Sequence, residues 1–378
     1  MMNEWKEIVN DTENSYIRRW KESGKAVVGY PCTFVPDEII YAADILPYRL
    51  RGTGTTSSSI GDTYFGPVIC SFPKCVLQLA GEGKFKFLDG TIIVPGCDSM
   101  RRLDECWRKA ADDYKGILPG FFHYFGVPHK VTDYSLKWFY EEAKKLKEKL
   151  EEHFGVTITD QALKGAISVY NESRRLLIQL DKLRIRDEVV ITGEDALVIM
   201  LASAAMPRDE FNKMLRKTLS QLEDRRVKPI KDKKRLMLVG SVNDDPEFMK
   251  VIEDCGAVIV TDTMCFGSRS YSDLAEEDGD PLFALVKRYL NHAYCPRMFG
   301  YYKPRLKYIM DRVKEAKVDG VILQNIRFCD LHGSENGIFE RDLEKEGIPC
   351  MRMEREYGPL TESGRVKMRV DAFLERIS

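Results

Sequence analysis

Near the N-terminus, the pattern of apolar positions predicts a strand, then a helix, then a second strand. An apolar run at residues 26–29 meets a turn, residues 35–40 open a helix, and residues 45–49 return as a strand. Pro36 stands at or near the first helical position, where its missing amide proton costs nothing, and the helix dipole favours the carboxylate of Asp37 behind it. This pattern predicts a β-α-β unit.

The same order returns in the second half of the chain. Residues 236–240 predict a strand, Asp245-Pro246 opens a helix, and residues 257–260 predict the returning strand. Each unit is then followed by a further apolar strand, at residues 88–94 in the first half and at 318–323 in the second. We interpret the two sets of elements as an internal repeat; the alternative is that their similarity is coincidental.

A Cys-Asp pair stands just beyond each of these further strands. The pairs are Cys97-Asp98 and Cys329-Asp330. Ligands of open parallel sheets collect outside the carboxyl ends of the strands, so two facing domains would bring both pairs to one cleft. The predicted fold class is α/β, with two Rossmann-like parallel-sheet domains that face a shared cleft and a helical insert.

Helical periodicity dominates the region between the two units. A charged amphipathic stretch covers residues 134–154, Thr192 resembles the start of a capping box before residues 196–205, and Pro207 starts a helix that runs toward Arg225. The predicted division is an N-terminal Rossmann-like domain at 1–130, a helical segment at 131–228 and a C-terminal Rossmann-like domain at 229–378.

The charge balance and hydropathy narrow the class of protein. Lys and Arg number 58 against 59 Asp and Glu, which leaves no positive excess to bind a phosphate backbone. The N-terminus has no apolar stretch of signal-peptide length, and no run of about 18 apolar residues occurs that would span a bilayer. We therefore expect a cytoplasmic protein with no nucleic-acid or membrane partner.

Common catalytic motifs are missing from the sequence. No P-loop motif occurs, so we expect no ATP site in this chain. The segment at residues 52–59 lacks the third glycine of a dinucleotide fingerprint and is predicted to be a mobile loop that lines the mouth of the active site. The five histidines are scattered, and there is no nucleophile elbow. A hydrolase is therefore disfavoured.

Cysteine is abundant for a chain expected in a reducing compartment, where structural disulfides are rare. Ten cysteines occur, at positions 32, 70, 75, 97, 106, 255, 265, 295, 329 and 350. Buried free thiols are the ordinary interpretation of any one of them. Structural zinc normally needs tighter pairs than the C-x4-C of Cys70 and Cys75, whereas an iron-sulfur cluster accepts thiolates from distant segments. Spacing alone does not separate Cys70 from Cys75.

Several stretches resemble the benzoyl-CoA reductase and 2-hydroxyacyl-CoA dehydratase family. In the first half they are Phe34 to Ala43, Tyr64-Phe65 to Cys70, and Phe87-Leu88-Asp89-Gly90 to Cys97-Asp98. In the second half they are Phe328-Cys329-Asp330, Glu346-Gly347-Ile348-Pro349 with Cys350, and Arg369 to Glu375. The resemblance runs from about residue 25 to the end, although the middle helical segment matches in the type of its residues more than in their identity.

The resemblance implies a subunit that carries one 4Fe-4S cluster in the interdomain cleft. Carried over residue by residue, the ligands would be Cys70, Cys97 and Cys329. No role is implied for the other seven cysteines, namely Cys32, Cys75, Cys106, Cys255, Cys265, Cys295 and Cys350. The implied partners are a homologous second cluster-bearing subunit, a separate ATP-hydrolysing activator that donates electrons, and an acyl-CoA thioester substrate.

Within that family, the chain looks most like the smaller cluster-bearing subunit of ATP-dependent benzoyl-CoA reductase, which reduces an aromatic ring to a cyclic diene. Adding one electron to such a ring needs a donor of very low potential, and cluster potentials reach down to about -700 mV. The alternatives are a 2-hydroxyacyl-CoA dehydratase subunit, a double-cubane-cluster reductase with twice the iron, and a non-catalytic α/β scaffold with buried thiols. No proton donor can be named from the sequence.

Overall fold

Strands and helices alternate along most of the chain. The computed structural model describes residues 2–224, 227–292, 294–358 and 362–378. The strands within these ranges are β1 Val27–Tyr30, β2 Leu46–Arg49, β3 Gly90–Ile93, β4 Phe121–Tyr124, β5 Lys234–Gly240, β6 Ala257–Asp262, β7 Gly320–Ile326 and β8 Cys350–Arg355. The helices are α1 Met2–Asn10, α2 Ser15–Glu22, α3 Asp37–Ala42, α4 Ser59–Tyr64, α5 Ser71–Gly81, α6 Asp98–Asp113, α7 Asp133–Phe154, α8 Asp160–Ile185, α9 Gly193–Ala202, α10 Arg208–Leu222, α11 Pro246–Asp254, α12 Ser268–Tyr271, α13 Pro281–Asn291, α14 Tyr302–Glu315, α15 Asp330–Lys345 and α16 Ser363–Arg376.

The strands form two sheets of four, and every neighbouring pair runs parallel. The first sheet has the order β2-β1-β3-β4, and the second has the order β6-β5-β7-β8. The two orders are the same once the strands are counted from β1 and from β5. In each sheet the chain starts at an inner strand, adds a neighbour on one side and then crosses to the other side, as in Rossmann-like folds. The predicted fold class is confirmed.

An aspartate just before the third strand of each sheet reaches back to the first strand. Asp89 Oδ2 accepts a hydrogen bond from the N–H of Val27 at 2.8 Å, and Asp319 Oδ2 accepts one from the N–H of Arg235 at 2.7 Å. The N–H of each aspartate donates in return to the carbonyl of the same residue, at 2.9 and 2.8 Å. We call this pair of hydrogen bonds between an aspartate and the first strand an aspartate clasp. The same clasp occurs at the same place in both halves, which supports the interpretation of an internal repeat.

The predicted helical stretch between the two sheets is present. Helices α7 and α8 are its longest members, and Thr192 caps α9 by accepting a hydrogen bond from the N–H of Asp195 at 3.1 Å. Helix α10 begins after Pro207, as predicted, and ends at Leu222. Arg225, the residue toward which this helix is predicted to run, lies outside the described residues.

Helix α8 contacts both halves of the molecule through buried arginines. Arg174 pairs with Glu38 in α3, and Arg184 pairs with Asp262 at the end of β6, with 2.9 Å between Nη1 and Oδ2. Because all four side chains are nearly inaccessible to water, each charge depends on its partner. The helices between the sheets thus pack on both of them, while the predicted domain boundaries stay a prediction.

Apolar side chains form one continuous cluster that reaches from the first sheet to the second. It includes Val27 and Leu46 on one side and Leu236 and Ile322 on the other. The two sheets therefore share part of their core. Within the described ranges, no helix is both long and apolar enough to cross a bilayer.

Candidate metal centre

Two of the three predicted ligands stand at matching places in the repeat. Cys97 follows β3 as the N-cap residue of α6, and Cys329 follows β7 as the N-cap residue of α15. Each helix begins at the aspartate of its Cys-Asp pair and is 16 residues long. A helix N-terminus has unpaired backbone N–H groups and partial positive charge, both of which favour an anion such as a thiolate.

The third predicted ligand, Cys70, is the N-cap residue of α5. The start of this helix contacts the loop that follows β8 in the second half. Ser71 Oγ accepts a hydrogen bond from the N–H of Tyr357 at 3.0 Å and donates one to Glu356 at 3.2 Å. The rings of Phe72 and Tyr357 meet edge to face, with their centroids 5.2 Å apart. These contacts place the N-terminus of α5 between the two halves.

The three thiols influence one another electrostatically. Burial raises the pKa of all three, to about 12 for Cys329 and well above the ordinary value for Cys97. In addition to burial, the charges of Cys70 and Cys329 raise the pKa of Cys97. The charge of Cys70 also raises the pKa of Cys329. Three cysteines from separate segments therefore lie within electrostatic reach of one another.

These environments determine what chemistry the thiols can perform. A thiol with a raised pKa is a poor nucleophile at neutral pH, because little of it is thiolate. A bound metal reverses this, since a coordinating thiol loses its proton to the charge of the metal. The backbone N–H groups of Phe72, Met100 and His332 also favour the thiolates of Cys70, Cys97 and Cys329, respectively. The arrangement suits metal ligation better than covalent catalysis.

The type of metal group can be tested against the geometry. In the part of the chain that the structure describes, no three His, Cys, Asp or Glu side chains converge closely enough to hold a single metal ion. A mononuclear zinc site would need such donors at about 2.0–2.3 Å from one point. An iron-sulfur cluster spreads its thiolates over several irons, so they need not converge. One buried and two partly buried thiols, each at the N-terminus of a helix, fit a cluster of that kind.

The alternative ligand Cys75 lies in a different environment. Its Sγ is 3.9 Å from the carbonyl oxygen of Tyr357, and a Cβ placed on Gly52 would lie 2.7 Å from the Cβ of Cys75. Burial raises its pKa to about 12, and the hydroxyl of Thr55 opposes that shift. Loop residues therefore enclose Cys75, which has the surroundings of an ordinary buried thiol.

The segment at residues 52–59 is a loop up to Ser58, where α4 follows. Its first residues bond to the second half of the molecule. The N–H of Gly52 donates to the hydroxyl of Tyr357 at 2.8 Å, and Thr53 Oγ1 donates to the carbonyl of Asp244 at 2.9 Å. Its place at the mouth of the site stays a prediction.

Two further cysteines, Cys32 and Cys295, interact with the predicted ligands and were missed by the sequence reasoning. Burial raises the pKa of Cys32 to about 11, and the charge of Cys295 adds to that shift. Cys32 in turn raises the pKa of Cys97, and Cys295 raises that of Cys329. Cys32 lies two residues beyond β1, so the strand-end argument would have found it. Cys295 follows a helix, and no local pattern marks it.

Three other cysteines have the contacts of packed free thiols. Cys106, Cys255 and Cys350 each place Sγ within 3.3–3.4 Å of a backbone carbonyl oxygen. All ten cysteines are free of disulfide bonds. A reduced set of thiols is what metal ligation at the cleft requires.

Fold and site together define an α/β protein of two repeated parallel sheets, with cysteine thiols at the N-termini of three helices. The family model for the D-component of 2-hydroxyglutaryl-CoA dehydratase matches residues 32–377. The chain therefore belongs to the 2-hydroxyglutaryl-CoA dehydratase D-component family.

Curated relatives cover nearly the whole length of the chain. It is 27% identical to the (R)-phenyllactyl-CoA dehydratase beta subunit of Clostridium sporogenes, over 93% of this chain and 92% of that protein. It is 30% identical to a benzoyl-CoA reductase subunit of Thauera aromatica, over 85% of this chain and 84% of that protein. It is 25% identical to the beta subunit of (R)-2-hydroxyglutaryl-CoA dehydratase from Acidaminococcus fermentans, over 93% of each. The family resemblance inferred from the residues is confirmed.

Proposed function

We propose that this chain is the iron-sulfur subunit of an ATP-dependent benzoyl-CoA reductase. Membership of a family of enzyme subunits supports the assignment as an enzyme subunit. The 30% identity to a benzoyl-CoA reductase subunit supports the choice of that reaction. The observation that carries the proposal is that Cys70, Cys97 and Cys329 are each the N-cap residue of a helix, and that charge on Cys70 raises the thiol pKa of both Cys97 and Cys329. The reaction is the one-electron reduction of the aromatic ring of an aroyl-CoA thioester, leading to a cyclic dienoyl-CoA.

Cys70, Cys97 and Cys329 would hold one 4Fe-4S cluster. Three thiolates for four irons leave one iron open to a ligand other than cysteine. When bound, the cluster supplies electron transfer at low potential. Cys70 is preferred to Cys75 because its thiol interacts with Cys97 and Cys329, whereas Cys75 is enclosed by loop residues.

The residues of this chain contribute an electrostatic environment that favours thiolates. The helices α5, α6 and α15 direct their N-termini toward the thiolates, which stabilises negative charge there. Cys70 is only 6% exposed, and the contacts of Ser71 and Phe72 with Tyr357 hold α5 against the second half.

The proposed partners are a homologous second subunit, a separate ATP-hydrolysing activator and an acyl-CoA substrate. The names of the relatives support the first, because each is a named subunit of a larger enzyme. The activator and the substrate follow from the proposed reaction, which needs a low-potential donor outside this chain.

A 2-hydroxyacyl-CoA dehydratase subunit is the second candidate. The matching family model and two of the three relatives described above carry dehydratase names. That reaction removes water from a 2-hydroxyacyl-CoA and would use the same fold and thiols. A double-cubane-cluster reductase would hold about twice the iron per chain, so the iron content of the purified chain separates it from the proposal.

The product of the reconstituted complex distinguishes the two reactions. The chain, its partner subunit and the activator are given benzoyl-CoA or, separately, a 2-hydroxyacyl-CoA, with ATP and a low-potential donor under anaerobic conditions. The proposal predicts a dienoyl-CoA from benzoyl-CoA. Formation of a 2-enoyl-CoA from the hydroxy thioester, with no dienoyl-CoA, would make the dehydratase the correct assignment.

A further inference from the structure

A buried cavity lies between helix α8 and the segments that follow strands β1 and β6. Its volume is about 50 Å³, which is room for about three to five water molecules. Five arginines line it and define what we call the arginine chamber: Arg49, Arg174, Arg208, Arg269 and Arg288. They come from the first sheet, the central helices and the second half, so the chamber forms only in the folded chain.

Only two of the five arginines have a carboxylate partner among the residues that the structure describes. Arg174 pairs with Glu38, and Arg208 pairs with Asp37 at 3.2 Å. Arg49, Arg269 and Arg288 form no ion pair within the described ranges. One more carboxylate, that of Asp273, lies nearby, 3.4 Å from Nδ1 of His292. Five guanidinium groups therefore face at most three described carboxylates in a buried space.

Neutral backbone carbonyls take some of the hydrogen bonds of the unpaired arginines. Arg49 Nη1 donates to the carbonyl of Cys265 at 2.6 Å, and Arg269 donates to the carbonyls of Tyr294 and Gly240 at 3.3 and 3.5 Å. The Nε atoms of Arg49 and Arg269 have no hydrogen-bond partner among the described residues. Since these residues are only 4% and 3% exposed, bulk water does not readily supply one.

The guanidinium group of Arg288 also donates hydrogen bonds to backbone carbonyls. Its Nε donates to the carbonyl of Asp273 at 2.9 Å, and its Nη2 donates to the carbonyl of Ser270 at 2.7 Å. Carbonyl oxygens position a guanidinium group but leave its positive charge uncompensated. A buried anion would both neutralise the excess charge and accept the unused hydrogen bonds.

We propose that the arginine chamber binds a small free monocarboxylate. A carboxylate matches the planar fork of a guanidinium group, which can donate two parallel hydrogen bonds to it. The apolar walls formed by Val35, Leu177 and Met200 suit a short carbon chain beside the charged end. Most of the lining residues are buried, so a free molecule of two or three carbons fits better than part of a CoA thioester. This inference does not rest on the proposed function.

Calorimetric titration of the purified full-length chain with sodium propionate tests the proposal, in a buffer low in other anions. Saturable binding at one site per chain is expected, with none for propionamide, which has the same shape without the charge. The midpoint of thermal unfolding should rise with propionate and stay unchanged with sodium chloride at equal ionic strength. This second measurement needs no variant, so it holds even if chamber variants fold poorly.

Substitutions locate the binding at the chamber. Arg49→Gln and Arg288→Gln should each weaken propionate binding by about ten- to a hundredfold, since each removes a charged hydrogen-bond donor. The matched control is Arg297→Gln, a buried arginine outside the chamber that also donates to backbone carbonyls, and it should leave the affinity unchanged.

Three results would overturn the proposal. One is a response to chloride equal to that to propionate, which indicates a general ion effect. Another is unchanged propionate affinity in folded Arg49→Gln and Arg288→Gln proteins. The third is binding of an acyl-CoA thioester without binding of the free acid.

Discussion

The two halves of the molecule share a framework but present different chemistry at the ends of their strands. Each has the same strand order, the same aspartate clasp and a cysteine at the start of a 16-residue helix. They differ in the segment between the second and third strands. In the first half that segment holds α5 and Cys70, whereas in the second half it holds Arg269 and Arg288. The repeat supplies equivalent positions, and the inserted segments specify what each half does.

The largest expected effect concerns the buried ion pairs by which α8 contacts each half. Arg174→Met and Arg184→Met should each lower the free energy of unfolding by about 3–5 kcal/mol, because Glu38 or Asp262 is left buried and unpaired. Urea unfolding measures the loss. Arg175→Met, an exposed neighbour on the same helix, is the control and should cost at most about 1 kcal/mol. Equal losses in all three variants would contradict this account.

A pH-dependent effect on stability is expected from His292 in the second half. Burial lowers the pKa of His292 to about 4, a hydrogen bond with Asp273 opposes the shift, and the charge of Arg288 adds to it. Between about pH 6.5 and pH 4 the unfolded chain binds a proton that the folded chain does not. Stability should therefore fall as the pH is lowered through that window, by about 2–3 kcal/mol from this residue.

The variant His292→Gln tests this prediction. Urea unfolding at pH 7 and at pH 5 should show a smaller loss of stability on acidification than in the unmodified chain. Some dependence should remain, because burial also lowers the pKa values of His123, His129 and His332. An unchanged pH dependence in the variant would mean that His292 does not titrate as described.

The smallest expected effect tests the equivalence of the two clasps. Asp89→Asn and Asp319→Asn each weaken one charged hydrogen bond to a backbone N–H, so each should cost about 1 kcal/mol. The ion pair between Asp89 and Lys21 is partly exposed and should add little. Losses that differ by more than about 1 kcal/mol in urea unfolding would show that the clasps are not energetically equivalent.

Local patterns predicted the repeated framework well. The strand predicted at residues 236–240 extends to Lys234–Gly240, and the helix predicted from Pro207 begins at Arg208. The apolar periodicity and the capping residues of these elements can be recognised within a short stretch of sequence. The strands β4 and β8 were not predicted. Each is short, with four residues in β4 and six in β8, and its pairing partner lies elsewhere in the chain.

The candidate site was predictable only where it repeats. Cys97 and Cys329 could be found because each follows a similar strand, and Cys70 depended on resemblance to a family. The arginine chamber had no signal in the sequence. Arg49 and Arg269 are distant along the chain, and the absence of described partners for their Nε atoms is a property of the tertiary packing.

The central claim is that the two halves jointly hold one cluster, and iron content measures it most directly. Anaerobically purified chain should contain about four irons and show broad visible absorbance. Cys97→Ser and Cys329→Ser should each lose most of both, although they lie in different halves, while Cys75→Ser should retain them. Full iron in the Cys97→Ser or Cys329→Ser protein, or its loss in Cys75→Ser with retention in Cys70→Ser, would contradict the account.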